Sequence, residues 1–110
     1  VASRAVGVQA EGVVAVDELN TRFRVGDRVA CGGAECAFHA EMIGVPDLLA
    51  APIPDGVEDW QAAYTTLASI SMEGVRQSGA RLGERVLVMG QGLVGLLATS
   101  LLKASGARVD

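Results

Sequence analysis

Three glycines, Gly90, Gly92 and Gly95, stand in the stretch VMGQGLVG at the spacing G-x-G-x-x-G. Such a spacing does chemistry without side chains. It presents the unpaired N–H groups at the start of a helix to a phosphate. The first glycine permits a tight turn, and the second lacks the Cβ that would hold a phosphate away from the backbone. The third lets a helix pack closely on a strand. Alone the pattern is weak, because glycines fall into it by chance. Its weight depends on the elements that flank it.

Arg85 to Met89 is a short run of mostly large apolar or β-branched residues, which predicts a buried strand. Leu93 to Ser105 predicts a helix, with Leu96, Leu97, Leu101 and Leu102 on the strip that faces a sheet and Gly106 as its terminator. Ala107 to Asp110 begins a second strand. The order is strand, glycine turn, helix, strand, so the fold class is α/β. In this context Gly90, Gly92, Leu93, Val94 and Gly95 are the candidates to cradle the pyrophosphate of a dinucleotide. A βα turn of an unrelated α/β protein, with no ligand, stays open beside that reading. The acidic residue that holds the ribose hydroxyls falls about 20 residues past such a motif. Asp110 has that separation, but it follows Gly106 too closely to end the second strand, so the acid is expected just beyond it and NAD is not separated from NADP.

The segment upstream must position this turn. Arg4 to Val16 is Val-rich with glycines at Gly7 and Gly12, which predicts β structure with a bend or bulge. Asp17 to Asn20 reads as a turn. FRVGDRVAC predicts two short strands around Gly26-Asp27, and Gly32-Gly33 leads to a third apolar run, Ala37 to Val45. APIPDG, Ala51 to Gly56, reads as an edge strand entering a loop, and a domain boundary is placed near Asp55. From Glu58 the period changes: Trp60, Tyr64, Leu67, Ser71 and Val75 recur at helical spacing, predicting a core-facing helix or helix pair that ends near Ser78-Gly79.

Composition narrows the partners. Of the 110 residues half are apolar, and 9 Lys and Arg against 13 Asp and Glu leave a net charge of −4. With no basic run, nucleic acid is not an expected partner. No apolar run approaches the roughly 18 residues of a membrane span, and the first residues lack a signal peptide's apolar stretch. A cytoplasmic protein acting on a small molecule is expected. The two cysteines, Cys31 and Cys36, are too few for a disulfide scaffold. With His39 they would give C-x4-C-x2-H, three ligands at an unusual spacing and no fourth, so reduced, partly buried thiols are expected instead of zinc.

The whole series then resembles the medium-chain dehydrogenase/reductase family, the zinc-type alcohol dehydrogenases and their zinc-free relatives. The resemblance rests on the order of EGVV (11–14), FRVGDRVA (23–30), HAEM (39–42), VP (45–46), PIPDGV (52–57), AAYTTL (62–67), LGERVLVMGQGLVG (82–95) and LLKASGARV (101–109). The stretch GVRQSGARLGERV is most similar to a zinc-independent branch, quinone reductase-like or joined to a second oxidoreductase domain. The fold implied is a GroES-like β-barrel followed by a Rossmann domain. Residues 1–55 would be the back part of the first, and 56–110 the connecting helices and the first β-α-β of the second. The chain is then expected to be a fragment of a homo-oligomeric enzyme.

Zinc members of the family carry G-H-E-x-x-G, and the matching stretch here is GVQAEG, with Val8 for the ligating His and Gln9 for the Glu. A further cysteine ligand matches Thr65. Valine cannot coordinate zinc and a threonine hydroxyl is a poor ligand at neutral pH. Too few residues lie between Asp27 and Pro46 for the cysteine-rich lobe. One other departure is Asp17, which stands at a glycine turn of the family. The expected activity is hydride transfer between NAD or NADP and a carbonyl, alcohol, quinone or enone, without catalytic zinc. A catalytically inactive dinucleotide-binding module and a zinc-dependent alcohol dehydrogenase are the alternatives. By resemblance Thr65, Thr66 and Ser69 lie near the nicotinamide, though polar positions in a helix pair explain them equally. Tyr64 and His39 are proton-donor candidates by residue type only, and each also suits a structural role. As an isolated monomer, the 110-residue chain is expected to be aggregation-prone, with exposed edges and apolar faces. Calorimetry of that chain should show a broad or irreversible transition, and a sharp cooperative melt would contradict the expectation.

Overall fold

The computed structural model describes residues 2–3, 10–16, 22–38, 40 and 42–110. The bend at Gly7, the turn at Asp17 to Asn20, Val8, Gln9 and His39 lie outside them. The chain divides into two compact units, Val1–Thr66 and Leu67–Asp110.

The first unit is built on antiparallel pairing. Strands β1 (Ala2–Ser3), β2 (Ala10–Val16), β3 (Arg28–Cys31), β4 (Ile43–Gly44) and β5 (Ala50–Pro52) form a sheet in the order β4-β1-β2-β3-β5. β3 is an interior strand between β2 and β5, and Val29, Ala30 and Cys31 are all buried, so both its faces are covered. Phe23, Ile43, Val45 and Ala50 close the core around Val29 and Cys31. β5 is an edge strand, as its sequence predicts: Pro52 has no N–H to offer a further neighbour.

Of the segments read as β here, one is not formed and another is formed only in part. Phe23 to Val25 is irregular because Asp27 turns the chain, its carboxylate accepting from the Arg24 N–H at 2.8 Å and its own N–H donating to the Arg24 carbonyl at 3.0 Å. Among the described residues of Ala37 to Val45, Ile43–Gly44 is paired, whereas the Gly33 carbonyl draws Ala37 N–H into a turn at 2.9 Å.

The helical segment is a pair. Helix α1 (Asp59–Ala62) starts in a reciprocal cap between Glu58 and Gln61. Arg28 holds it to the sheet by pairing with the Asp59 carboxylate and donating to the Val57 carbonyl at 2.8 Å. The chain breaks at Ala63-Tyr64, where the Thr65 hydroxyl donates to the Ala62 carbonyl at 2.6 Å, a side-chain bond that competes with helix continuation. Helix α2 (Thr65–Ser78) follows and ends at Gly79, at φ +66°. The predicted stripe is core-facing only in part: Ser71 is buried, but Trp60 is 64% exposed.

In the second unit, β6 (Arg85–Val86), α3 (Leu93–Ala104) and β7 (Arg108–Val109) form a β-α-β unit with parallel strands, Arg85 opposite Arg108 and Val86 opposite Val109. The ladder runs past the strand ends through Arg108 N–H to the Glu84 carbonyl, Asp110 N–H to Val86, and Val88 N–H to Asp110. Arg85 also reaches across to the Asp110 carboxylate at 2.8 Å. The predicted strand is therefore present but not buried throughout. Val86 and Val88 are half-buried, whereas Leu87 and Met89 on the other face are 70% and 88% exposed. A strand alternates its side chains between two faces, and only one of these is covered by the described residues. On α3, Leu102 is buried, Leu97 and Leu101 are half-buried, and Leu96 is exposed rather than sheet-facing.

Gly106 ends α3 at φ +87°, and a Cβ there would lie 2.1 Å from Leu82 Cδ1. The conformation favours glycine, whereas the exposed Leu82 side chain can move aside. Gly106→Ala in the full-length protein should therefore cost about 1–3 kcal/mol in equilibrium denaturation.

Candidate functional site

The glycine turn joins β6 to α3, and its three glycines stand in three different surroundings. Gly90 sits at φ +96°, which favours a residue without a Cβ. Gly95, in the first turn of α3, lies so near the turn that a Cβ would be 1.9 Å from the Gly90 carbonyl oxygen. Backbone here packs directly on backbone. Gly92 is different. Its φ of −74° suits any residue, and a Cβ built on it meets no atom within 4 Å. Neither conformation nor internal packing accounts for this glycine. What its small size preserves is open space in front of the helix.

Backbone borders that space. Gly92 is the N-cap of α3 and its carbonyl accepts from Leu96 N–H at 2.9 Å, closing the first helical bond. The N–H groups of Leu93, Val94 and Gly95 precede that bond and have no partner within the helix. They carry the positive end of the helix dipole, and the first turn holds no acidic side chain and no side-chain cap to neutralise it. Gln91 lies beside the turn, 3.4 Å from the Val88 carbonyl. The predicted candidates Gly90, Gly92, Leu93, Val94 and Gly95 lie together at one strand-to-helix junction, at the positive end of the α3 dipole.

Thr65 and Ser69 lie one helical turn apart on α2, with Thr66 between them. Thr65 and Thr66 belong to the first unit and Ser69 to the second. The Thr65 hydroxyl is engaged at the α1–α2 break, as described above. Thr66 Oγ1 stands where Gly32 has no side chain: a Cβ on Gly32 would lie 2.5 Å from it. Gly32 is therefore a close-approach position as well as a turn residue, which sequence reasoning missed. Ser71 was also missed as a site residue. Its signal was a small polar residue inside an apolar stripe, and it is the one buried polar side chain among the described residues. Tyr64 is half-exposed on the surface of the first unit. Cys31 is a buried free thiol, and Cys36 is a free thiol lying 3.7 Å from the Gly32 carbonyl. Among the described residues no three His, Cys, Asp or Glu side chains cluster as metal ligands, and no helix is long and apolar enough to cross a membrane.

No family model matches the chain. Individual proteins do. L-galactonate-5-dehydrogenase of Escherichia coli is 34% identical over 89 residues, covering 71% of this chain and 26% of its own. A quinone oxidoreductase of Pseudomonas syringae superposes with a TM-score of 0.81 at 34% identity, over 94% of this chain and 33% of that one. A mycobacterial protein solved in complex with NADPH gives a TM-score of 0.78 at 28% identity, over 94% of this chain and 34% of that one. The chain belongs to the medium-chain dehydrogenase/reductase family. It spans about a third or less of the length of these family members.

The geometry separates two substitutions within this member of the family. Gly95→Ala drives a methyl into the Gly90 carbonyl and should destabilise the full-length protein by about 2 kcal/mol or more. Gly92→Ala enters open space and should leave the thermal midpoint unchanged or slightly raised. Thermal denaturation of the two variants side by side checks the contrast.

Proposed function

We propose that this chain contributes the pyrophosphate cradle of a nicotinamide-dependent oxidoreductase that works without catalytic zinc. The observation that carries the reading is the open space in front of Gly92, a glycine the protein's own packing does not require. An anionic ligand that must touch the backbone does require it. The NADPH complex of the mycobacterial neighbour supports a nicotinamide dinucleotide, NADH or NADPH, as that ligand.

In this reading residues 1–55 are the back part of a GroES-like catalytic domain. Residues 56–110 are the connecting helices and the opening β-α-β of a Rossmann domain in a homo-oligomeric, cytoplasmic enzyme. The nicotinamide, when bound, supplies the hydride chemistry. The chain's own residues bind and orient. The Leu93, Val94 and Gly95 N–H groups hold the pyrophosphate, and Thr65 and Ser69 are the candidates for the nicotinamide end. Quinones, enones and aldehydes are the substrate class, supported by the quinone oxidoreductase neighbour. The zinc-free assignment is supported by Val8 and Thr65 at positions where zinc-type members ligate metal. The same two residues also favour a second reading, a dinucleotide-binding module without turnover.

Calorimetric titration of the full-length protein with NADH and NADPH should show binding of at least one. Gly92→Val should weaken it by more than about ten-fold, because the branched side chain occupies the open space where the pyrophosphate would meet the backbone. Absence of binding by wild type, or undiminished binding by the variant, would remove the dinucleotide assignment. NAD(P)H oxidation with quinones, enals or aldehydes distinguishes the enzyme from the module.

A further inference from the structure

Ser71 lies on α2, 2% exposed, with its hydroxyl oxygen 2.9 Å from the Leu67 carbonyl and 3.1 Å from the Val94 carbonyl. The hydroxyl has one proton, which the two carbonyls share, and the Leu67 contact is the ordinary back-bond of a helical serine to the residue four before it. The Val94 contact reaches a different helix, in the first turn of α3, two residues past Gly92. A trans peptide is planar, so the Val94 carbonyl and the Gly95 N–H belong to one rigid unit and point in opposite directions. A hydroxyl that grips the carbonyl therefore sets the direction of the Gly95 N–H. Donation to the carbonyl also polarises that amide. The remaining freedom of this peptide is limited on its other side, where Gly95 abuts the Gly90 carbonyl.

We propose that Ser71 is a positioning residue for the dinucleotide: through the Val94 carbonyl it aims the Gly95 N–H at the pyrophosphate. This rests on the dinucleotide reading above. Ser71 touches no ligand itself. Its part is to keep the first turn of α3 in one orientation before the anion arrives, so that binding does not have to order it.

The test uses the full-length protein, with NADPH and NADH as probes in calorimetry. Ser71→Ala removes the grip with little change in volume, and alanine's higher helix propensity offsets part of the lost hydrogen bond, so folding should be retained. The expected result is a dissociation constant raised about three- to ten-fold, the scale of one hydrogen bond. In 15N-labelled ligand-free protein the Gly95 amide resonance should move while amides of the antiparallel sheet stay in place. Ser71→Cys, similar in size with a weak S–H donor, should fall between alanine and wild type. If wild type binds and Ser71→Ala binds within two-fold of it, the positioning role is overturned while the dinucleotide reading stands. If wild type binds neither probe, both fall.

Discussion

The second unit depends on one contact, the approach of Gly95 to the Gly90 carbonyl. No side chain can stand between them, since even a methyl would come within 1.9 Å of the oxygen. That closeness brings α3 directly against the turn leaving β6 and fixes where the first turn of the helix begins. The parallel pairing of β6 with β7 follows from it, because α3 is the only covalent route between the two strands. A longer or looser turn would place the helix N-terminus elsewhere, and the N–H groups of its first turn would no longer border the open space at Gly92.

Around that contact the remaining interactions act as supports. Gly106 lets the chain leave α3 sharply enough for Arg108 to donate to Glu84. Arg85 and Asp110 pair across the strands, but both side chains are largely exposed, so the pair contributes little to stability. Ser71 differs in being buried, and its hydroxyl joins α2 to α3. In the first unit the equivalent support is Arg28, which ties β3 to the start of α1 through Val57 and Asp59. Each unit thus positions a helix start by gripping backbone carbonyls and termini rather than by apolar packing alone.

Much of this was legible in the sequence because the determining features are local. G-x-G-x-x-G, the apolar run before it and the leucines after it predict β-turn-α-β, and Gly106 predicts its end. The α/β class follows from them. Less legible were features set by partners distant in sequence. Phe23 to Val25 has strand composition, yet the Asp27 carboxylate takes the Arg24 N–H and makes a turn. Leu87 and Met89 read as core residues, but their face of the strand is uncovered among the described residues. Gly32 reads as a turn glycine, and only tertiary structure shows Thr66 against it. Ser71 looked like an interruption of an apolar stripe, and its partner, Val94, lies 23 residues away.

The central claim is that the open N-terminus of α3 receives the pyrophosphate of a nicotinamide dinucleotide. Its most direct measurement is an amide NMR titration of the 15N-labelled full-length protein with NADPH and with NADH. The account predicts that the largest shifts fall on Gly92, Leu93, Val94 and Gly95, with smaller ones on Thr65 and Ser69. Saturable binding that leaves the amides of residues 92–95 unmoved would contradict it.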